Sequence, residues 1–360
     1  MPARPPQSVP TQQALALLCG ALVLVGCGTP PLPTSPVSSG SAAVAPTSTP
    51  TEASVRARVS LPSDGVIATE ASLALSAFGS VWVPQIGNAH GWVVRIDGAT
   101  GTVVARIAVG AAPGSLAVAG DSIWVANTSG SSGAARGANT LSRIDPRTNH
   151  VIATVAVKIG GPIAAGFGSV FVPGPDEGGS PLTKVDVAND RVAASYRVTG
   201  IPIVACNALW LLRTLPTETF PHPVTIARLD PNSGARTVSV AIPEGGGRPY
   251  DVDGRCLMLT GENSADETPT ESWIAILGAD GRIITRSPRI EYRTMVLAER
   301  IWIQLDAGGV IRQIDQRGVP ADNSIALPEP ETARGGWTML AAAGSLWVVG
   351  PSSAAEVAFD

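Results

Sequence analysis

Gly79-Ser80-Val81-Trp82-Val83 decides the fold, because the phrase returns along the chain. It recurs as Asp121-Ser122-Ile123-Trp124-Val125, Gly168-Ser169-Val170-Phe171-Val172 and Asn207-Ala208-Leu209-Trp210-Leu211. Three further copies are Gly254-Arg255-Cys256-Leu257-Met258, Glu299-Arg300-Ile301-Trp302-Ile303 and Gly344-Ser345-Leu346-Trp347-Val348. The fourth positions fall at 82, 124, 171, 210, 257, 302 and 347, with spacings of 42, 47, 39, 47, 45 and 45 residues. Periods of this size belong to propeller blades. Seven copies predict seven blades.

A second phrase lies between the copies: Arg95-Ile96-Asp97-Gly98, Arg143-Ile144-Asp145-Pro146 and Arg228-Leu229-Asp230-Pro231, with weaker forms at Lys184-Val185-Asp186 and Gln313-Ile314-Asp315. An aspartate, proline and glycine between two β-rich runs make a hairpin turn. The carboxylate caps turn amides, proline presets φ and glycine takes positive φ. Each repeat therefore reads as four strands: an inner A, B with the tryptophan, C ending in Arg-Ile-Asp, and an outer D. The predicted class is all-β, a seven-bladed propeller of four-stranded antiparallel blades spanning residues 54–360.

The two ends complement each other. The last copy stops at Ala358-Phe359-Asp360, read here as the Arg-Ile-Asp position, so its D strand is missing. An orphan run, Ser54–Leu61, aligns with the D strand Thr102–Val109. The N-terminal strand is expected to complete the C-terminal blade and close the ring, which removes exposed sheet edges.

The repeats resemble the YVTN-repeat and virginiamycin B lyase-like group of seven-bladed propellers, on the Ser-[Val/Ile]-Trp-Val copies and the Arg-Ile-Asp-Pro turns. That resemblance implies fold far more than activity. The lyase within the group needs a histidine–glutamate set around a divalent metal, with a carboxylate just after strand B. Here the stretches read Trp82-Val83-Pro84-Gln85, Trp124-Val125-Ala126-Asn127 and Phe171-Val172-Pro173-Gly174. Only Glu262 lies near the required position, so no catalytic residue carries over.

The N-terminus reads as an address. Arg4 precedes an apolar run, Ala14–Val25, of signal-core length and too short to span a bilayer. The run ends in Leu24-Val25-Gly26-Cys27, which resembles the bacterial lipobox. Residues 1–26 are expected to be a lipoprotein signal peptide and Cys27 the acylated mature N-terminus. Residues 27–53 follow as a Pro/Ser/Thr-rich tether with too little apolar surface to fold. The chain is thus expected to be exported and anchored to the cell membrane, facing the periplasm or the exterior. A secretory signal containing a chance cysteine is the alternative.

Composition narrows the function. A net charge of −4 argues against nucleic acid as a partner. Charged residues make up 15% of the 360 residues, with 39 glycines and 31 prolines, a composition of short strands and many turns. The three histidines, His90, His150 and His222, show no metal-ligand spacing, and no cofactor is expected. The run Ser129-Gly130-Ser131-Ser132-Gly133 lacks the lysine of a phosphate loop, and the acidic stretch Glu262–Glu267 lacks a calcium-loop spacing. Cys206 at the A–B turn of blade four and Cys256 opening strand B of blade five either pair or stay as buried thiols.

The D–A and B–C loops gather at one mouth of a propeller. Arg213, His222, Arg248, Tyr250, Glu262, Tyr292, Arg293 and Trp337 are the ligand candidates there, since arginine beside aromatics suits an anionic ligand or a protein hot spot. The leading reading is a monomeric, non-enzymatic binding or scaffold lipoprotein for a protein, peptide or cell-envelope glycan. The alternative is a metal-dependent lyase or hydrolase.

Overall fold

The computed structural model describes residues 51–70, 73–87, 90–128, 139–175, 181–214, 224–242, 246–252, 255–260, 270–278, 280, 282–286, 290–292, 294–298, 300–304, 310–314, 324–327 and 337–358. Cys27 and the expected signal peptide lie outside them, as does the 27–50 part of the expected tether. Among the described residues, no helix is long and apolar enough to cross a membrane.

These residues form seven sheets, antiparallel within each repeat and each built around one copy of the repeated phrase. In the first, Ser80–Gly87 pairs with Gly91–Asp97, which pairs with Thr102–Val109. The inner position is shared by two short strands, Val66–Thr69 and Leu75–Ala77. The second sheet is regular: Pro113–Ala119, Ser122–Asn127, Thr140–Asp145 and His150–Ala156. The third and fourth repeat it from Ala164–Gly166 through Tyr196 and from Ile201–Ala205 through Ile242. The fifth runs from Gly246–Val252 to Ile283–Arg286, with Ile290–Tyr292 added beside the start of Thr270–Leu277. The sixth pairs Thr294–Ala298, Arg300–Gln304, Val310–Ile314 and Ile325–Ala326 in turn.

The last sheet places the N-terminal strand Ser54–Ser60 against Ser353–Ala358, beyond Ser345–Val349 and Thr338–Ala342. One local irregularity fixes its identity. In the first five sheets the C–D pairing skips one D-strand residue at an equivalent place: Val104, Ile152, Ala193, Thr237 and Ile284. The N-terminal strand skips Arg56 at the same place, since Val55 faces Val357 and Ala57 faces Glu356. The bulge also explains the exposure of Val104, Ile152 and Ile284, which are left outside the ladder.

That register corrects the expected alignment of the C-terminus. Trp82, Trp124, Phe171 and Trp210 face Arg95, Arg143, Lys184 and Arg228. Trp347 faces Glu356, so Glu356-Val357-Ala358 occupies the Arg-Ile-Asp position, two residues before the expected 358–360. Repeat length alone could not detect the slip, because glutamate stands where the phrase calls for arginine. The expected tether boundary also shifts. Thr51–Glu52 pairs in parallel with Ile325–Ala326 as a fifth strand of the sixth sheet, and buried Ala53 donates its amide to the Ala326 carbonyl.

The core lies between sheets. Trp82 packs with Leu116, Ile123 and Val125 of the second sheet, and Trp124 with Val170, Val172 and Val185 of the third. Phe171 meets Leu209 and Leu211, Trp210 meets Met258 and Ala275, and Trp347 meets Val81, Val83 and Val94. Contacts of the inner strands join sheet six to seven, seven to one, and one onward through five. At the seven–one junction Ser76 Oγ donates to the Ala341 carbonyl. A Cβ on Gly98 would lie 2.8 Å from the Gly79 carbonyl oxygen and 3.0 Å from the Ala342 Cβ, which explains the glycine there.

Tight inner hairpins join A to B. Phe78-Gly79, Phe167-Gly168, Cys206-Asn207 and Ala343-Gly344 all have positive φ at both residues, as the two-residue turn that matches strand twist requires. The glycine of Gly-Ser-Val-Trp-Val is therefore a turn residue.

Candidate functional site

The repeated serine and arginine prove to be one structural unit. Arg95 Nε donates to Ser80 Oγ at 2.9 Å, and its guanidinium lies 4.9 Å from the centre of the Trp82 ring. It then reaches the next sheet, donating to the Pro146 carbonyl and to Asn149 Oδ1. Arg143 repeats the pattern with Ser122 Oγ, the Val187 carbonyl and Asp190 Oδ1, at 2.9, 2.9 and 2.8 Å. Lys184 reaches the Pro231 carbonyl at 2.9 Å. Each cation ties its sheet to the next C–D turn. Glu356 breaks the series, accepting from Ser345 Oγ at 2.6 Å, and the turn of the neighbouring first sheet carries Gly101 where others carry Asn149 or Asp190.

The turn aspartates are structural for the predicted reason. Asp97 Oδ1 accepts from the Thr100 amide at 2.8 Å and the Thr100 hydroxyl at 2.9 Å. The amides of Thr100, Arg147 and Ser233, foremost among several hydrogen bonds, hold Asp97, Asp145 and Asp230 below the usual carboxylate range. A carboxyl whose folded pKa is depressed stabilises the fold above its unfolded value, near 3.8, and loses that contribution as pH falls through the folded value. The unfolding midpoint should therefore drop below about pH 3.8 in the native chain. The triple variant Asp97→Asn, Asp145→Asn, Asp230→Asn should start lower at pH 7 and converge on it as pH falls through the depressed folded values. Parallel pH profiles would contradict this role.

At the outer ends of strands B, where the lyase resemblance requires carboxylates, two buried amides stand instead. Gln85 Nε2 donates to the Pro62 carbonyl at 2.9 Å and Thr69 Oγ1 at 3.3 Å. Asn127 Nδ2 donates to Ser142 Oγ at 2.9 Å. Both side chains are almost fully buried and hold their own sheets together. His90 is exposed in the B–C loop of the first sheet, and His150 Nδ1 lies 2.7 Å from the Thr148 carbonyl. Among the described residues no three His, Cys, Asp or Glu side chains are grouped as metal ligands.

The ligand candidates divide. Arg213 is exposed near the end of strand Ala208–Thr214, paired with Thr225, at the B–C end of the fourth sheet. Tyr292 pairs with Thr270 at the start of a C strand, on the same end of the fifth sheet. Half-buried Trp337 directly precedes the inner strand of the seventh sheet and packs on the cluster it shares with the sixth. These three lie at the expected end. Tyr250 does not: it sits inside strand Gly246–Val252, facing Leu257, toward the A–B turn. Arg248 belongs to the same strand, paired with Leu259, and neither residue is in a loop. His222, Glu262 and Arg293 lie outside the described residues.

Cys206 Sγ and Cys256 Sγ are bonded at 2.02 Å with their Cα atoms 5.3 Å apart, linking the inner turn of the fourth sheet to the second strand of the fifth.

Repeated four-stranded sheets, packed face to face through strand-B side chains such as Trp82, Trp124 and Phe171, define a β-propeller. The fold is similar to that of the hydrazine synthase structure from Kuenenia stuttgartiensis, with TM-score 0.56, 12% identity, and coverage of 78% of this chain and 93% of that one. It is equally similar to the WD40 domain of Toxoplasma gondii coronin, with TM-score 0.56, 11% identity and 85% of each chain covered. WD40 repeats build propellers. BamB from Moraxella catarrhalis aligns with TM-score 0.48 and 12% identity, over 85% of this chain and all of that one. No protein-family model matches the chain, and no curated protein matches it in sequence.

Proposed function

We propose that this chain is an exported lipoprotein, acylated at Cys27, whose propeller is a monomeric binding scaffold for a protein or peptide at the cell envelope. Gln85 and Asn127 carry the reading: where a lyase of the resembling group needs carboxylates, this chain has buried amides that brace the sheets. The propeller fold suits the role, since radially repeated blades offer loop-lined faces to partners. The seven sheets close into one ring. Inner-strand contacts account for six junctions; the reading adds a seventh, between the fifth and sixth sheets. The N-terminal strand then holds the seam, and the lipid tether leads into it.

Arg213 and Trp337 mark the binding end in this reading. A photo-crosslinking residue placed at either position should capture a discrete envelope protein in growing cells. The same residue at Ile152, exposed on an outer strand bulge, should not. Equal capture from all three positions, or none, would count against a binding face there. Turnover of a cyclic peptide by the purified chain would overturn the non-enzymatic reading.

A further inference from the structure

The sixth sheet departs from the repeat at one buried position. Gln313 faces Trp302, so Arg312 occupies the place held by Val94, Ser142, Thr183, Ala227, Ala275 and Ala355 in the other sheets. Arg312 is 2% exposed. Its neighbour Ile311 packs with Met339, Leu346 and Val348 of the seventh sheet. Side chains alternate along a strand, so Arg312 points the other way, toward the fifth sheet in ring order. There its Nε and Nη2 have no hydrogen-bond partner.

A second polar group accompanies it. The register pairs Val310 with Ala326 and Ile311 with Ile325, and one step further Ser324 stands across from Arg312 on the same face. Ser324 is 1% exposed, and its Oγ also lacks a partner. Three unpartnered buried donors on two adjacent side chains are unusual in a folded protein. A guanidinium cannot shed its proton to escape the cost, and a buried unpaired charge is among the most unfavourable groups in a core.

The free atoms indicate what is missing. Nε–H and Nη2–H lie side by side on one edge of the guanidinium, the fork that accepts two oxygens of a carboxylate or phosphate. The Ser324 hydroxyl supplies a third donor. We infer that Arg312 and Ser324 bind a small oxyanion, inorganic phosphate or a short carboxylate, enclosed within the sixth blade. That the site borders the fifth blade rests on the closed-ring reading; the burial and the free donors do not.

The test uses the full chain in Tris-chloride at constant ionic strength. Phosphate and acetate are titrated separately against the unfolding midpoint, and anions released on denaturation are measured by ion chromatography. The native chain should either release one equivalent of an oxyanion or gain several degrees at about 100-fold excess over Kd. The arm that responds identifies phosphate or carboxylate. Arg312→Met should abolish release and response together. Ser324→Ala, a milder change should Arg312→Met fail to fold, should weaken binding about fivefold or more. No oxyanion bound or sensed by the native chain, or undiminished binding by Ser324→Ala, overturns the inference. Small-angle scattering on the same samples separates the two readings: an open arc of sheets has a larger radius of gyration whatever the anion does.

Discussion

Deleting residues 51–61 is expected to destabilise the whole propeller, whereas removing 28–48 should leave its unfolding midpoint unchanged. Ser54–Ser60 supplies the outer strand of the seventh sheet, and Thr51–Glu52 extends the sixth. The deletion strips the Ser353–Ala358 strand of its outer partner and uncovers Trp347, which packs among Val59 and Leu61 as well as the first sheet. Val59 and Leu61 are both buried, and losing them costs roughly 3–6 kcal/mol in apolar burial alone. An unpaired edge also invites association between chains. Thermal unfolding of the two deletions side by side checks this; matching midpoints would mean that the N-terminal strand is dispensable.

The second large effect is expected at the Cys206–Cys256 bond. It closes a loop of 50 residues and fastens the fourth sheet to the fifth. A cross-link over a loop of that length restricts the unfolded chain by about 4 kcal/mol on the chain-entropy estimate. Replacing both cysteines by serine should therefore lower the unfolding free energy by about 2–4 kcal/mol, measured in denaturant, with an unchanged circular dichroism spectrum. A loss below about 1 kcal/mol would show that the junction is held by Trp210, Met258 and their neighbours without it.

The fold was legible in the sequence because the repeat exposes the same physical need seven times. A large apolar residue on each B strand, most often tryptophan, must be buried, and an aspartate at the clearest C–D turns must cap amides. The orphan strand was legible for the same reason, since Val55, Ala57 and Val59 reproduce Val103, Ala105 and Ile107. What lay hidden were relations across sheets. The serine of one phrase and the arginine of the other are 15 residues apart as Ser80 and Arg95, yet form one hydrogen bond that also serves the next blade. Glu356 disguised the last C strand, so the end of the chain was read two residues out of register.

The candidate binding residues were harder to read. Loop membership follows from turn signals, and Arg213, Tyr292 and Trp337 fall at the end those signals indicate. Tyr250 was misplaced because the inner strand of the fifth sheet begins at Gly246, in a Gly-rich stretch that reads as a loop. Arg312 drew no attention, since a single arginine beside a weak Gln-Ile-Asp phrase resembles an ordinary surface residue. Its burial comes from neighbours that no linear pattern names.

The central claim is that the N-terminal strand closes the ring within one molecule. The most direct measurement is disulfide trapping in the chain carrying Ala57→Cys and Glu356→Cys, positions that face one another across the seam. Oxidation should produce an intramolecular link in a monomer, found by mass spectrometry as a joined peptide pair, with a raised unfolding midpoint. Absence of that link, or a link formed between two chains, would contradict the proposed closure.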